Sequence, residues 1–400
     1  METETRLKNT GLRGVKVADT KISYIDGENG ILIYRGYRIE ELAARSTFME
    51  TAHLLLEGKL PNKAELERFN QDVIAARRLP NFIHDALKQL PKTADPMDVL
   101  QAVVPLLGLA DPDLEDETRE ANYRKAVRLV ARLPVVVAAW HRIRSNEGPL
   151  PSDDNLHHAA NFLWQLSGRK PDEVMARDLD ICLVLHADHT FNASTFACRE
   201  VVSTQAHMYA GVAAGVGALS GSLHGGANAR VMKMLSEVEA VVKSPDDVST
   251  WVKDRLDRGE KIMGMGHAVY KTIDPRSTIL KQMSLDLGRK TGHENWYHLL
   301  TRIDEVGEQE FARRGKPNIK TNVDFYSGSV YSMMGIPVDL MTPVFAISRV
   351  SGWCAHIIEE KFGEAQGKPA LYRPSAEYVG DYCGPIGCTF EPIEERKRVP

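Results

Sequence analysis

Apolar and polar positions alternate in the β manner over residues 15 to 35. Ile22 and Tyr24 precede the turn-forming run Asp26-Gly27-Glu28-Asn29-Gly30, and Ile31-Leu32-Ile33-Tyr34 follows it, a pattern that predicts a β-hairpin. From Ile39 onward apolar residues recur at three- and four-residue spacing among helix formers, so the chain reads as mainly α-helical. Asn62 with Glu65 has the form of a capping box for a helix running towards Arg78, with Pro80 as its stop. Residues 97 to 108 predict a short buried helix, and Arg124 to Ile143 a long apolar one interrupted near Pro134. Pro149-Leu150-Pro151 opens a loop, after which helices resume from about Asn155. Ser244-Pro245-Asp246-Asp247 supplies an N-cap, an N1 proline and an acidic N3. Val248, Trp251, Val252 and Leu256 then share one face, and Gly259 ends the helix. Between Asp172 and Leu219 small residues accumulate, and Gly211 to Ala218 is small throughout. Such a helix lets two backbones approach closely, at the centre of a fold or at a subunit interface.

Composition narrows the class without naming a function. The 400 residues are enough for a sizeable core and for two to three domains' worth of chain that can interleave. Hydrophobic content of 43% with 26% charged residues is that of a globular protein, and a formal charge of -4 offers no field for nucleic acid or an anionic membrane. Met1-Glu2-Thr3-Glu4-Thr5-Arg6 has no apolar core of a signal peptide, and no run reaches the ~18 apolar residues of a membrane span, so the expected location is cytoplasmic. Cys182, Cys198, Cys354, Cys383 and Cys388 read as reduced, mostly buried thiols, the last two being too sparse for a zinc knuckle. The acidic run Asp111, Asp113, Glu115, Asp116, Glu117 and Glu120 reads as a solvated loop entering the first turn of the next helix. No repeat or low-complexity tract points to a solenoid.

Candidate chemistry gathers in four segments. They are His186-Ala187-Asp188-His189 with Asn192-Ala193-Ser194; Leu223-His224-Gly225-Gly226-Ala227-Asn228; Gly264-Met265-Gly266-His267 through Asp274-Pro275-Arg276; and Asn322-Val323-Asp324-Phe325-Tyr326-Ser327-Gly328. Arg349 and Arg373 add two cations. The glycines at 264 and 266 permit close approach of a ligand to the backbone. His186 and His189 lack the His-Glu-x-x-His context of a zinc site, so no metal is expected, and His186 reads as a core histidine bonded to backbone. His157, His158, His293 and His298 read as surface or satisfied core residues.

Taken in order, from the hairpin through Glu377, these segments resemble the motifs of citrate synthases. The resemblance implies an all-α fold of the shorter, dimeric kind, with a large helical domain over 1–224 and 330–400 interrupted by a smaller helical domain over 225–329 that closes on the substrates. It implies condensation of acetyl-CoA with oxaloacetate, then hydrolysis of the citryl thioester to citrate and CoA, as in the tricarboxylic acid cycle. Acetyl-CoA is then a cosubstrate, and no permanently bound cofactor is expected. A thioester methyl group is too weakly acidic for a lone carboxylate, so the base must be paired with a donor to the developing enolate oxygen. The resemblance assigns Asp324 as base, His224 as neutral donor to the thioester oxygen and His267 as donor to the ketone. It assigns His189, Arg276, Arg349 and Arg373 to oxaloacetate, Arg373 reaching the site of the partner in a homodimer. Coenzyme A is expected along Met263, Gly264, Met265 and Gly266, with Asn322 and the basic side chains of Lys271, Lys316 and Lys320. Two other functions compete. One is 2-methylcitrate synthesis from propionyl-CoA, whose members tend towards Asn-Ala-Asp-Phe-Tyr where this chain has Asn322-Val323-Asp324-Phe325-Tyr326. The other is a catalytically silent helical dimer acting as a binding module. Ala268 departs from the arginine that many bacterial members carry after the histidine, which bears on coenzyme contacts and not on the chemistry.

Overall fold

The structure, a computed structural model, describes residues 11, 12, 14–380 and 384–396. The hairpin forms as β1 (Ser23–Asp26) and β2 (Ile31–Tyr34), antiparallel with Ser23 opposite Tyr34. A third strand, β3 (Tyr37–Arg38), adds antiparallel to β2. Its turn is Arg35-Gly36, both at positive φ (46° and 94°), the geometry of a tight two-residue hairpin, without the Asn or Asp that usually announces one.

Apart from one isolated bridge, the other regular elements among the described residues are helical. The first layer comprises α1 (Ile39–Arg45), α2 (Phe48–Glu57), α3 (Lys63–Ala76), α4 (Asn81–Gln89), α5 (Pro96–Leu109) and α6 (Arg119–Arg144). The capping box of α3 forms as the sequence predicts, Asn62 accepting from the Glu65 amide while Glu65 accepts from the Asn62 amide. Pro134 does not interrupt α6: it sits inside a continuous helix whose residues Leu133 to Trp140 are all buried. The ring removes one backbone bond, and apolar packing on both sides outweighs that loss.

α7 (His158–Ser167), α8 (Glu173–His186), α9 (Ala193–Ser203) and α10 (Met208–Ser220) follow. The small residues of α10 work centrally. A Cβ on Gly211 would lie 2.7 Å from Val202 of α9, and one on Gly215 would run into Cys198, so the two backbones approach where side chains are missing. The other face, Ala213, Ala214, Gly217 and Ala218, is half-buried. The acidic run is only partly solvated. Asp111 is buried, accepts from the Tyr209 hydroxyl of α10 and pairs with Arg128 at 2.8 Å, while Asp113 is held by Arg124 and Arg128. Charge pairing with α6 overrides the exposure that a block of like charges suggests.

α11 (Ala227–Val241), α12 (Pro245–Asp257), α13 (Pro275–Thr291), α14 (Glu294–Arg313) and α15 (Val323–Met333) pack chiefly on one another. They meet the rest of the chain where α13 touches α1 and α8 and where α11 touches α16 (Met341–Phe362). A short 3₁₀ turn, Val338–Leu340, leads into α16, which is buried on nearly every side and packs on α2, α6, α8, α9 and α10. A helix buried all round is a core element, and this one carries Arg349, His356, Glu359 and Glu360 inside. Among the described residues no helix is long and apolar enough to cross a membrane. Beyond α16 the chain is irregular, with Leu371, Val379, Ile386, Phe390 and Ile393 exposed. Cys182, Cys198 and Cys354 are free and buried, but Cys388 is disulfide-bonded, which corrects its reading as a reduced thiol; Cys383 lies outside the described residues.

Candidate active site

Two backbone seams hold the site loops. In the first, Met265 bridges Thr321, the Gly266 amide donates to the Lys320 carbonyl at 2.8 Å, and the Asn322 amide donates to the Gly264 carbonyl at 2.9 Å. Asn322 then caps α15, its Oδ1 accepting from the Asp324 amide at 2.9 Å while its Nδ2 donates to the Gly266 carbonyl at 2.8 Å. Gly264 is required there: its φ is +78°, and a Cβ would sit 2.8 Å from Phe325. The second seam is the hairpin. Its turn accepts the Lys271 amide on the Gly27 carbonyl at 2.9 Å, and the Tyr34 hydroxyl donates to the Asp188 carbonyl at 2.7 Å. Ser23 donates to the Asp188 carboxylate, so two strand residues and one turn fix the loops bearing His189 and His267.

Two of the histidines have their tautomers set by backbone donors. The His224 Nε2 receives the Ser194 amide at 3.2 Å, at the N-terminus of α9, and also lies 2.8 Å from the Ser194 hydroxyl. An amide can only donate, so Nε2 must be unprotonated and the proton of the neutral ring sits on Nδ1. In His267 the order is reversed: Nδ1 receives the amides of Val269 at 2.9 Å and Tyr270 at 3.2 Å, which leaves Nε2–H as the donor. Burial lowers both pKa values to about 4, with Arg349 adding to the effect at His224. Both rings are therefore neutral donors at physiological pH.

His189 is buried against them, its ring centroid 5.3 Å from that of His267, and burial with the nearby Arg276 holds its pKa well below the ordinary value. His186, at the end of α8, faces elsewhere. Its Nδ1 contacts the Cys182 carbonyl at 2.7 Å and its ring packs on Phe345, so it is the backbone-bonded core histidine that the sequence predicts. The i, i+3 spacing of the pair thus does not bring them to a common centre. His158 is buried, with Nε2 unpartnered among the described residues, which departs from the reading of a satisfied core residue.

Asp324 occupies the first turn of α15, where the helix terminus favours its anion, yet burial pushes its pKa up to about 6. Arg276 pulls it back, and Asp274 raises it further. The outcome is a carboxylate that is ionised at neutral pH and more basic than a free one.

The buried arginines differ in kind. Arg276 is locked by Asp274, with Nε to Oδ1 at 2.9 Å and Nη2 to Oδ2 at 2.7 Å, and the same carboxylate caps α13 through the Arg276 amide. Arg349 donates Nε to the His186 carbonyl at 2.8 Å and stacks on Phe345, and no carboxylate pairs with it among the described residues. Burial lowers its pKa to about 10, so it stays charged and presents an unmatched cation to the site. Asp274 and Ser194 lie in segments that the sequence singles out without giving either a role, and Tyr270 is a site residue that sequence reasoning passes over. The Asp-Pro-x pattern signals a helix cap, not a partner for Arg276, and nothing local ties Ser194 to a histidine 30 residues away.

Other expected residues take different places. Met263 and Met265 are half-buried, Lys271 and Lys316 are exposed, and Lys320 pairs with Glu308 at 2.6 Å. The Asn322 amide is engaged at both ends by the loops it joins. Arg373 is exposed in the irregular segment after α16 and takes part in none of the bonds that join this cluster.

A raised carboxylate, neutral imidazole donors and an unpaired buried guanidinium in an all-α fold are the equipment of an acid–base enzyme suited to an anionic substrate. The relatives narrow that class. The family profile "Citrate synthase, C-terminal domain" matches residues 11–375. The citrate synthase of Synechocystis sp. is 43% identical over 400 residues, 99% of this chain and 96% of that one, and the citrate synthase of Haloferax volcanii is 44% identical over 391 residues, 96% and 98% of the two chains. Among solved structures, citrate synthase from Pyrobaculum aerophilum superposes with a TM-score of 0.88 at 38% identity, covering 96% of this chain and 95% of that one. The chain belongs to the citrate synthase family, and it is a transferase of the citrate (Si)-synthase type. A protein named 2-methylcitrate synthase 1, from Corynebacterium glutamicum, is also similar, at 38% identity over 397 residues, 98% of this chain and 97% of that one. A further solved relative, from Thermoplasma acidophilum, is described as a ternary complex with carboxymethyl coenzyme A and oxaloacetate. It is 33% identical with a TM-score of 0.85, over 96% and 98% of the two chains.

Proposed function

We propose that the protein condenses acetyl-CoA with oxaloacetate and hydrolyses the resulting thioester, with Asp324, His224 and His267 carrying the chemistry. One observation bears most of the weight: two neutral histidines held by backbone amides in opposite tautomers, in a chain whose Asp324, raised to about 6, starts a helix that Asn322 ties to the Gly266 loop. Asp324 takes a methyl proton of the acetyl thioester. The electron pair moves onto the thioester oxygen, which receives the Nδ1–H of His224. The enolic carbon then attacks the ketone of oxaloacetate as the enol proton returns to His224, and the ketone oxygen becomes an alcohol by taking the Nε2–H of His267, which the water of the next step replaces as the departing thiolate takes the proton held by Asp324. Water finally cleaves the citryl thioester and releases CoA. Arg349, unpaired and buried, meets one carboxylate of oxaloacetate, and Arg276 offers a second contact from within its pair with Asp274.

The coenzyme is a cosubstrate met by the loop at Met263 to Gly266, with Asn322, Lys271, Lys316 and Lys320 flanking it. We place the closing domain at 225–329, the region whose helices pack chiefly on one another. The active form is a homodimer in which Arg373 enters the partner's site. The exposed apolar side chains after α16 and the half-buried small face of α10 are the surfaces that such a partner would cover. A cytoplasmic location accompanies a substrate made and used inside cells.

The test is thiol release with oxaloacetate, comparing acetyl-CoA with propionyl-CoA as kcat/KM. A higher value for acetyl-CoA supports the proposal, and a higher value for propionyl-CoA favours 2-methylcitrate synthesis, the reading that the Corynebacterium relative's name suggests. One methylene is worth only ~1–3 kcal/mol in a pocket, so both substrates are expected to show measurable turnover. No release with either would leave only a binding module.

A further inference from the structure

Tyr270 is buried to 2% of its surface and stands between the two histidines proposed to meet oxaloacetate. Its ring centroid lies 4.8 Å from that of His267 and 5.6 Å from that of His189. Its amide donates to the His267 Nδ1 at 3.2 Å, and its hydroxyl lies 3.3 Å from the His189 Nε2. A buried hydroxyl proton has to be accepted by something, and the acceptor within reach among the described residues is that Nε2. Were Nε2 protonated, it would donate to the phenol oxygen, and the phenol proton would then have no acceptor among the described residues. The hydroxyl therefore donates, and the proton of neutral His189 resides on Nδ1, which has no partner among the described residues.

We infer that Tyr270 is a positioning residue that sets two histidine tautomers at once, its amide committing His267 to an Nε2–H and its hydroxyl committing His189 to an Nδ1–H. Two N–H donors on rings 5.3 Å apart suit a 2-oxo acid, in which the ketone oxygen and a carboxylate oxygen sit on adjacent carbons and both only accept. A 2-hydroxy acid such as malate can accept at its hydroxyl oxygen but brings a proton for which neither of these donors is an acceptor. Tyr270 thereby selects the keto acid over its reduced analogue. This inference rests on oxaloacetate being the substrate, but the tautomer assignment does not.

The experiment uses the full-length protein with ¹⁵N-labelled histidine and the variants Tyr270→Phe and Tyr270→Leu. In the unaltered protein, the His189 resonance should report Nδ1–H and the His267 resonance Nε2–H. Tyr270→Phe should release His189 into a tautomer mixture while leaving His267 unchanged, because the backbone amide remains. The KM for oxaloacetate should rise about tenfold, more than kcat falls, while inhibition by malate changes by less than twofold, as expected for loss of one hydrogen bond in binding. Tyr270→Leu should match Phe in the tautomer readout. A merely structural role would shift both histidines together or neither. An unchanged His189 tautomer in the Phe variant, or a KM that does not move while the tautomer does, would overturn the inference. Absence of turnover with oxaloacetate in the unaltered protein would instead overturn the proposed function and leave the tautomer result standing.

Discussion

At the scale of single residues, Asp324 joins two consequences of burial. As a base it must be ionised, so with a pKa of about 6 the kcat/KM is expected to fall about tenfold per pH unit below that value. His224 and His267, at about 4, stay neutral through this window and add no limb of their own above pH 5. The same shift has a thermodynamic sign. A carboxyl whose pKa is raised from 3.8 to about 6 on folding binds its proton more tightly when folded, so its ionisation removes stability as pH rises through that interval. Asp324→Asn is therefore expected to lower turnover by ~10²–10⁴ while raising stability at pH 7.5, on the order of 1–3 kcal/mol. Steady-state assays and thermal melts on one sample measure both; an Asn variant that is active, or less stable at that pH, would contradict the role given to burial.

Among the elements, α15 and the glycine loop form a unit in which one methyl group matters. Gly264→Ala is expected to strain a φ of +78° and to push against Phe325, displacing the first turn that carries Asp324. A stability loss of ~1–3 kcal/mol is anticipated from the backbone strain, and a larger proportional loss of kcat than of stability from the displaced base. Urea unfolding with kinetics on the same variant separates the two effects.

A second element-scale feature is the charge network inside α16. Arg199, fully buried on α9, pairs with Glu359 at 2.6 Å and Glu360 at 2.7 Å, and His356 contacts Asp188 at 3.3 Å, next to His189. Replacing Arg199 by Met removes the cation that two buried carboxylates share, leaving them the Lys21 amide and the Tyr372 hydroxyl, and is expected to cost ~3–5 kcal/mol, read from the urea midpoint. No loss would mean that water reaches the network.

How much of this was legible beforehand differs by kind of residue. The motif histidines, Asp324 and the arginines stand out by residue type and order, and the hairpin and the capping boxes at α3 and α12 obey local rules. Asp274 as the keeper of Arg276, Ser194 as the keeper of His224 and Tyr270 between two rings leave no local mark. Pro134 misled for the same reason, since what keeps α6 whole is the packing around it.

For the molecule as a whole, the proposed dimer makes a distinct prediction. If Arg373 completes the partner's site, Asp324→Ala and Arg373→Gln homodimers are each nearly inactive, but a mixed dimer holds one intact site. Random reassociation of the two should then restore about a quarter of the unaltered activity, from half the dimers bearing half the sites. Activity that stays at the level of the separate variants would argue against sharing. The apolar side chains exposed after α16 belong to this scale too, as the surface that the proposed partner would cover.

Periodicity, caps and turn residues act over a few residues, so the sequence alone determines an all-helical chain with one N-terminal hairpin and the chemical types at the site. Tertiary structure decides what those groups are able to do. Whether a histidine donates from Nδ1 or Nε2 depends on which amide meets its other nitrogen, from 30 residues away for His224 and from two for His267. Whether an arginine is spent or available depends on a carboxylate beside it, as Arg276 and Arg349 show. The loop of the glycine-flanked His267 owes its place to Gly27 of the hairpin and Thr321 before α15, partners that distance along the chain conceals. Burial sets the protonation of Asp324 and the histidines, and burial is a property of the folded whole.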